Sequence, residues 1–274
     1  MGFLEALGQY PFLQYALAGG LLASLGCGLI GPFVVVRRLG YMAGGIAHSV
    51  LGGMGAALLL GAGPFTGALV AAIAAALAIG LVKLHLRHDE DTVIGAVWAV
   101  GMAAGILFIS RLPGYNIDLI AYLFGNVLMV SPADLVRMAS LDGVILLVLV
   151  LSFDRLVAVA FDPEFARLRG VPVDAYYLLT LCLVALSVVL LVRVVGLILV
   201  IALLTLPAAI ARQIHVSLRA MMATSCLLGA LFTTTGLALA YHRDWPAGAT
   251  IILLAGLAYL LVVAAGALRR RPAR

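Results

Sequence analysis

Apolar runs of membrane-spanning length alternate along this chain with short stretches that collect its charges, glycines and prolines; examples lie at 12–36, 64–86, 172–192 and 246–268. A helix rising about 1.5 Å per residue needs about 20 apolar residues to cross a hydrocarbon core roughly 30 Å thick. Spanning β-barrels instead alternate polar and apolar positions with period two, and the chain does not read that way. The pattern predicts an all-α, polytopic membrane protein with about nine spans, at 12–36, 40–60, 64–86, 92–110, 132–153, 172–192, 195–213, 218–241 and 246–268. The first of these has no basic region before it and no small-residue cleavage site, so it reads as a retained helix.

Two islands interrupt the pattern. Residues 112–131 are too polar at their start and too short for a tenth span, and the core Asp118-Leu-Ile-Ala-Tyr-Leu-Phe-Gly125 reads as a short helix or re-entrant piece near the outer face. The second island is Phe161-Asp-Pro-Glu-Phe-Ala-Arg-Leu-Arg-Gly-Val-Pro172. Asp162 suits an N-cap, Pro163 the first helical position, Glu164 the positive end of the helix dipole and Gly170 the C-terminal stop. The spacing predicts a short capped helix between two spans, either a plain linker or a docking helix for a cytoplasmic partner.

Composition agrees: 65% of residues are hydrophobic and 11% charged, against about 25% charged in an ordinary soluble domain, and the mean hydropathy is +1.20. The net charge of +5 reflects location rather than nucleic-acid binding. With an odd number of spans, only Arg111, Arg137, Arg193 and Arg243 of the 17 Lys and Arg residues fall on one side. The positive-inside rule then places the N-terminus outside and the C-terminus in the cytoplasm. Residues 1–274 read as one transmembrane domain.

Candidate chemistry is sparse. His48 lies in the glycine-rich run Tyr41 to Met54, where an ionisable ring inside a span marks a functional site and neutral imidazole is a common transition-metal ligand. Met42 could add a sulfur ligand, but methionine on a membrane helix commonly fills gaps. Cys27, Cys182 and Cys226 sit in apolar runs without CxxC spacing and read as packed side chains. Asp142 and Arg193 belong away from lipid, Thr233-Thr-Thr235 reads as bonding its own helix carbonyls, and Trp245 suits an interface. His242 reads as a solvated loop residue, and Arg269-Arg-Arg271 as the cytoplasmic end of the last span. No phosphate-binding loop is possible, since the only lysine, Lys83, follows Val82. HExxH and GxSxG are missing too. The chain is expected to perform no covalent chemistry.

An ordered series of motifs covers nearly the whole length: Gly31-Pro-Phe-Val-Val-Val-Arg-Arg-Leu-Gly-Tyr41, Ala47-His-Ser49, Asp91-Thr-Val-Ile-Gly95, Ala121-Tyr-Leu-Phe-Gly125, Asp162-Pro-Glu164 with Gly170-Val171, Arg193-Val-Val-Gly196, Leu206-Pro-Ala-Ala-Ile-Ala-Arg212 and Pro246-Ala-Gly248. The series resembles the membrane permease of ABC-3 family importers of zinc, manganese or iron. The resemblance implies a bacterial inner-membrane homodimer working with a cytoplasmic ABC ATPase dimer, which carries the ATP, and an extracytoplasmic metal-binding protein. It implies no covalently bound cofactor, only a transported divalent metal. It assigns the island at 161–172 the role of coupling helix, with Asp162, Glu164, Arg167 and Gly170 in that role.

Many members carry Asp-Ala-x-x-His-Ser in the second span, a carboxylate and an imidazole at i and i+4 on one helix face. This chain keeps His48 but has Gly44 in place of the acid, and Asn126 where some zinc-type members carry Asp. Asp118 remains near Asn126, and the resemblance puts His48, Asp118 and Asn126 on the metal pathway. Losing two carboxylates disfavours manganese, which prefers oxygen donors, so zinc ranks first. The rival readings are a permease for chelated iron, cobalamin or another chelate, a secondary transporter driven by protons or sodium, and a membrane scaffold or sensor.

Overall fold

The computed structural model describes residues 2–85, 90–112, 127–196 and 200–269. These residues form helices α1 (Phe3–Gln9), α2 (Pro11–Val36), α3 (Gly40–Leu59), α4 (Pro64–His85), α5 (Glu90–Ser110), α6 (Pro132–Phe161), α7 (Pro163–Leu168), α8 (Val173–Val195), α9 (Val200–Ile214), α10 (Leu218–Arg243) and α11 (Ala247–Arg269), with a 3-10 turn at Val127–Met129 and no strand among them. The expected all-α permease architecture is present. Eight helices are long and apolar enough to cross a bilayer, and α9 is the shorter ninth. Its 15 residues reach about 22 Å, less than the hydrocarbon thickness.

Two features lie outside the sequence expectation. Helix α1 precedes the first span and rests Phe3 on Tyr241 of α10, with ring centroids 6.0 Å apart. Helix α6 runs unbroken for 30 residues to Phe161 instead of ending near 153. Asp154 and Arg155 close the apolar run, but they do not close the helix. At about 45 Å, α6 exceeds the roughly 30 Å hydrocarbon core by about a half and carries α7 beyond it. Its other end is fixed by a capping box, with Ser131 and Asp134 each accepting the other's backbone N–H at 3.2 Å.

Helix α2 runs through the middle of the bundle against α6, α8, α9 and α10, and α3 is held between α4 and α5. Glycine makes both arrangements possible. A Cβ on Gly53 would strike the carbonyl oxygen of Gly67 in α4, and one on Gly52 would stand 2.8 Å from the carbonyl oxygen of Gly101 in α5. Helices in lipid gain little from the hydrophobic effect, so association depends on such close backbone approach. As a result α3 is the most enclosed of the eight long helices.

The basic side chains with described contacts sort to two ends. Arg37, Lys83, Arg155, Arg212 and Arg219 share the end bearing α7, since Arg37 bonds Val159, Lys83 lies over Tyr177, Arg155 bonds Tyr176, Arg212 bonds Val35 and Arg219 pairs with Asp154. Arg137 lies at the opposite end, over the Phe65 ring. The turn between α2 and α3 is only Arg37-Arg38-Leu39, with Arg38 left-handed at φ 57°, a conformation that costs a non-glycine residue about 1–2 kcal/mol.

Candidate functional site

His48 occupies the middle of α3, eight residues from its start at Gly40, and is 8% exposed. The glycines around it bring α3 close to α5, and Trp98 of α5 covers the imidazole face to face, with centroids 4.1 Å apart and planes 3° apart. Trp98 is itself held by its indole N–H, which donates to Met102 Sδ at 3.1 Å, and by Tyr41 at 6.4 Å. The ring is therefore fixed by stacking rather than by a hydrogen bond, and its Nδ1 is buried with no partner. A buried polar atom left unpaired costs about 1–3 kcal/mol.

One turn earlier, Gly44 faces the start of α9. A Cβ there would stand 2.8 Å from Ile201 Cδ1, so a methyl group fills the space into which an acid at position 44 would project. The site thus lies where α3, α5 and the start of α9 meet. Asp118 and Asn126, with the rest of the Asp118 to Asn126 island, fall outside the described residues, as does the Arg193 side chain. Among the described residues, no three of His, Cys, Asp and Glu are grouped to hold a metal ion.

Most of the other polar residues of the spans follow the quieter readings, but Thr233 bonds across to a second helix and His242 lies in the last turn of α10 rather than in a loop. Met42 is 2% exposed and accepts the Tyr177 hydroxyl at 3.6 Å, facing α8. Thr234 and Thr235 bond carbonyls of their own helix, and Thr233 meets Ser24 of α2 at 3.0 Å. The described cysteines form no disulfide. His242 is exposed at the end of α10, beside the half-exposed Trp245. Asp142 is a further exception: it is 4% exposed, and both carboxylate oxygens are without a partner.

The predicted short helix is α7. Asp162 caps it, Oδ1 accepting from the Phe165 N–H at 2.9 Å, and Pro163 opens it. Gly170 closes it at φ 77°, with the Val171 N–H bonded back to the Ala166 carbonyl at 3.0 Å. Ala166 is buried against Val159 and Val173, which seats the helix, while Phe165 and Leu168 are 50% and 88% exposed. Arg167 pairs with Asp174 at 2.9 Å, an exposed contact worth less than about 1 kcal/mol. The result is a short helix, capped at both ends, with Phe165 and Leu168 turned outward.

Sequence reading missed Trp98. Its only local trace is an aromatic residue on the helix following Asp91-Thr-Val-Ile-Gly95, and nothing in that stretch points to position 48.

Apolar helices of this number and length, packed around a glycine-contacted span, make the protein a polytopic helical membrane protein. A model of the ABC 3 transport family matches residues 9–266, and the chain belongs to that family. An uncharacterised membrane protein of Synechocystis is 44% identical over 256 residues, covering 93% of this chain and 91% of its own. The manganese import system permease protein ScaB of Streptococcus parasanguinis is 34% identical over 259 residues, covering 94% and 92%. Among solved structures, PsaBC from Streptococcus pneumoniae in complex with Fab superposes with a TM-score of 0.87 at 33% identity, over 95% of this chain and 94% of that one.

Proposed function

We propose that the chain is the membrane-spanning subunit of an ATP-driven importer of a divalent transition metal ion, which crosses the membrane beside His48. The observation that carries this reading is the unpartnered Nδ1 of His48, buried at the middle of the most enclosed span of an ABC 3 family protein. A single imidazole is an incomplete ligand set. A second copy in a homodimer, or Asp118 and Asn126, would add donors, and weak multi-site coordination suits an ion that must also leave. Manganese is supported by the name of the ScaB relative. Zinc is supported by the donor chemistry, an imidazole without the neighbouring carboxylate.

Helix α7 is the coupling helix. Its end of the bundle, basic through Arg37, Lys83, Arg155, Arg212 and Arg219, faces the cytoplasm of a bacterial inner membrane and meets an ABC ATPase dimer. The opposite end receives metal from an extracytoplasmic binding protein. The subunit itself moves the ion and leaves ATP hydrolysis to its partner.

The deciding experiment is uptake from a mixture of zinc, manganese and iron, presented with the extracytoplasmic binding protein, into vesicles holding the permease, with and without the ATPase and with His48→Ala. ATP-dependent accumulation of one ion, lost in His48→Ala while the complex still assembles, is expected. Full uptake by His48→Ala overturns the site, uptake without the ATPase favours a gradient-driven carrier, and uptake of chelates alone favours a chelate permease. For α7, Glu164→Lys and Leu168→Asp are expected to abolish co-purification of the ATPase. Unchanged co-purification rejects the coupling role.

A further inference from the structure

The two helices flanking α7 both meet one side chain, Arg37, in the turn between α2 and α3. Its Nη1 donates to the Val159 carbonyl at 2.6 Å and to the Ala160 carbonyl at 3.4 Å. These belong to the last turn of α6, where carbonyls have no partner within the helix and a cation is favoured by the helix dipole. Arg37 also places its guanidinium carbon 5.8 Å from the centroid of the Tyr177 ring of α8. The Tyr177 hydroxyl in turn donates to Met42 Sδ of α3 at 3.6 Å, six residues before His48.

We propose that Arg37 is the positioning residue through which displacement of the coupling helix reaches the His48 helix. The inference rests on the reading of α7 as the coupling helix. Arg37 grips α6 two and three residues before Asp162, the α7 cap, so movement of α7 pulls on it directly. From Arg37 the motion has two routes into α3. One is covalent, through the three-residue turn that ends at Gly40, whose left-handed Arg38 leaves little slack. The other passes through Tyr177 to Met42. His48 lies about 12 Å along α3 from Gly40, so a shift of the helix start is a shift of the imidazole. The guanidinium serves this better than an ammonium because one nitrogen bonds the carbonyls of α6 while the delocalised charge of the group still lies over the Tyr177 ring.

The test measures metal taken up per ATP hydrolysed by the full transporter, permease, ATPase and extracytoplasmic binding protein together, in vesicles. Arg37→Gln is expected to keep ATPase co-purification and ATP hydrolysis while uptake per ATP falls about tenfold, the order of effect seen when a coupling contact is lost. Arg37→Lys is expected to restore part of it. Tyr177→Phe, which removes only the hydroxyl, is expected to lower the ratio about twofold to threefold. Unchanged uptake per ATP in Arg37→Gln overturns the proposal. If that variant does not assemble, Tyr177→Phe decides: a lowered ratio supports the route and an unchanged one rejects it. Failure of the coupling-helix reading is distinguishable, since there Glu164→Lys and Leu168→Asp keep the ATPase bound, and the Arg37 route falls with it.

Discussion

The imidazole of His48 lies flat on the indole of Trp98, 4.1 Å between centroids and 3° from parallel. Aromatic pairs of this kind are worth about 0.5–1.5 kcal/mol beyond the area they bury, enough to decide the orientation of a ring with no hydrogen bond on Nδ1. Trp98→Leu is therefore expected to raise the metal concentration for half-maximal uptake about threefold to tenfold, with Trp98→Phe close to the parent. Equal behaviour of the two variants in uptake titrations would show that stacking does not orient His48.

The glycine at position 44 can be tested by restoring the acid. Ile201 Cδ1, 2.8 Å from the position of the new Cβ, is the free end of a flexible side chain, so it can turn aside. Gly44→Asp is expected to shift ion preference toward manganese, because carboxylate oxygen suits that ion better than imidazole alone. Adding Ile201→Val should strengthen the shift by clearing space. Competition between manganese and zinc in the same vesicles measures it, and an unchanged ratio refutes the pairing of positions 44 and 48.

Helix contacts through glycine predict a sharp contrast among substitutions. At Gly53 and Gly67 a methyl group would meet backbone, which cannot rotate away, whereas at Gly256 nothing lies within 4 Å. Gly53→Ala and Gly67→Ala are expected to lose about 1–3 kcal/mol. Gly256→Ala is expected to be neutral or to gain up to about 1 kcal/mol in helix propensity. Thermal unfolding in detergent gives all three. A Gly53→Ala protein as stable as Gly256→Ala contradicts the tight α3 to α4 contact.

Asp142 is a buried carboxylate whose two oxygens have no partner, with Oδ1 2.5 Å from where a Cβ on Gly26 would be. An amide of the same shape is less costly to desolvate than a carboxylate, so Asp142→Asn is expected to raise stability by about 1–3 kcal/mol. A loss of stability in the melting curve contradicts the reading of Asp142 as an unpaired buried carboxylate.

What the sequence disclosed was what local chemistry decides. Asp162, Pro163 and Gly170 specified α7 because a cap, a fixed φ and a left-handed stop act within a few residues. Span ends at Arg37-Arg38 and near Lys83 were legible because charge marks the membrane boundary. The end of α6 was not, since Asp154 and Arg155 interrupt hydrophobicity without interrupting backbone hydrogen bonds. The site was half legible. His48 was conspicuous as an imidazole among apolar residues, but its stacking on Trp98 joins two helices 50 positions apart, and the methyl of Ile201 facing Gly44 depends on where α9 begins. Neither has a local signature.

The unbroken course of α6 has a mechanical corollary. A continuous helix of about 45 Å that pivots about a point between its ends behaves as a seesaw: tilting it carries its two tips in opposite senses. One tip bears the Asp162 cap of α7 and the other the Ser131 cap beside the 127–129 turn. A push delivered at one face of the membrane thus arrives at the other reversed in sign, with no loop between to absorb it.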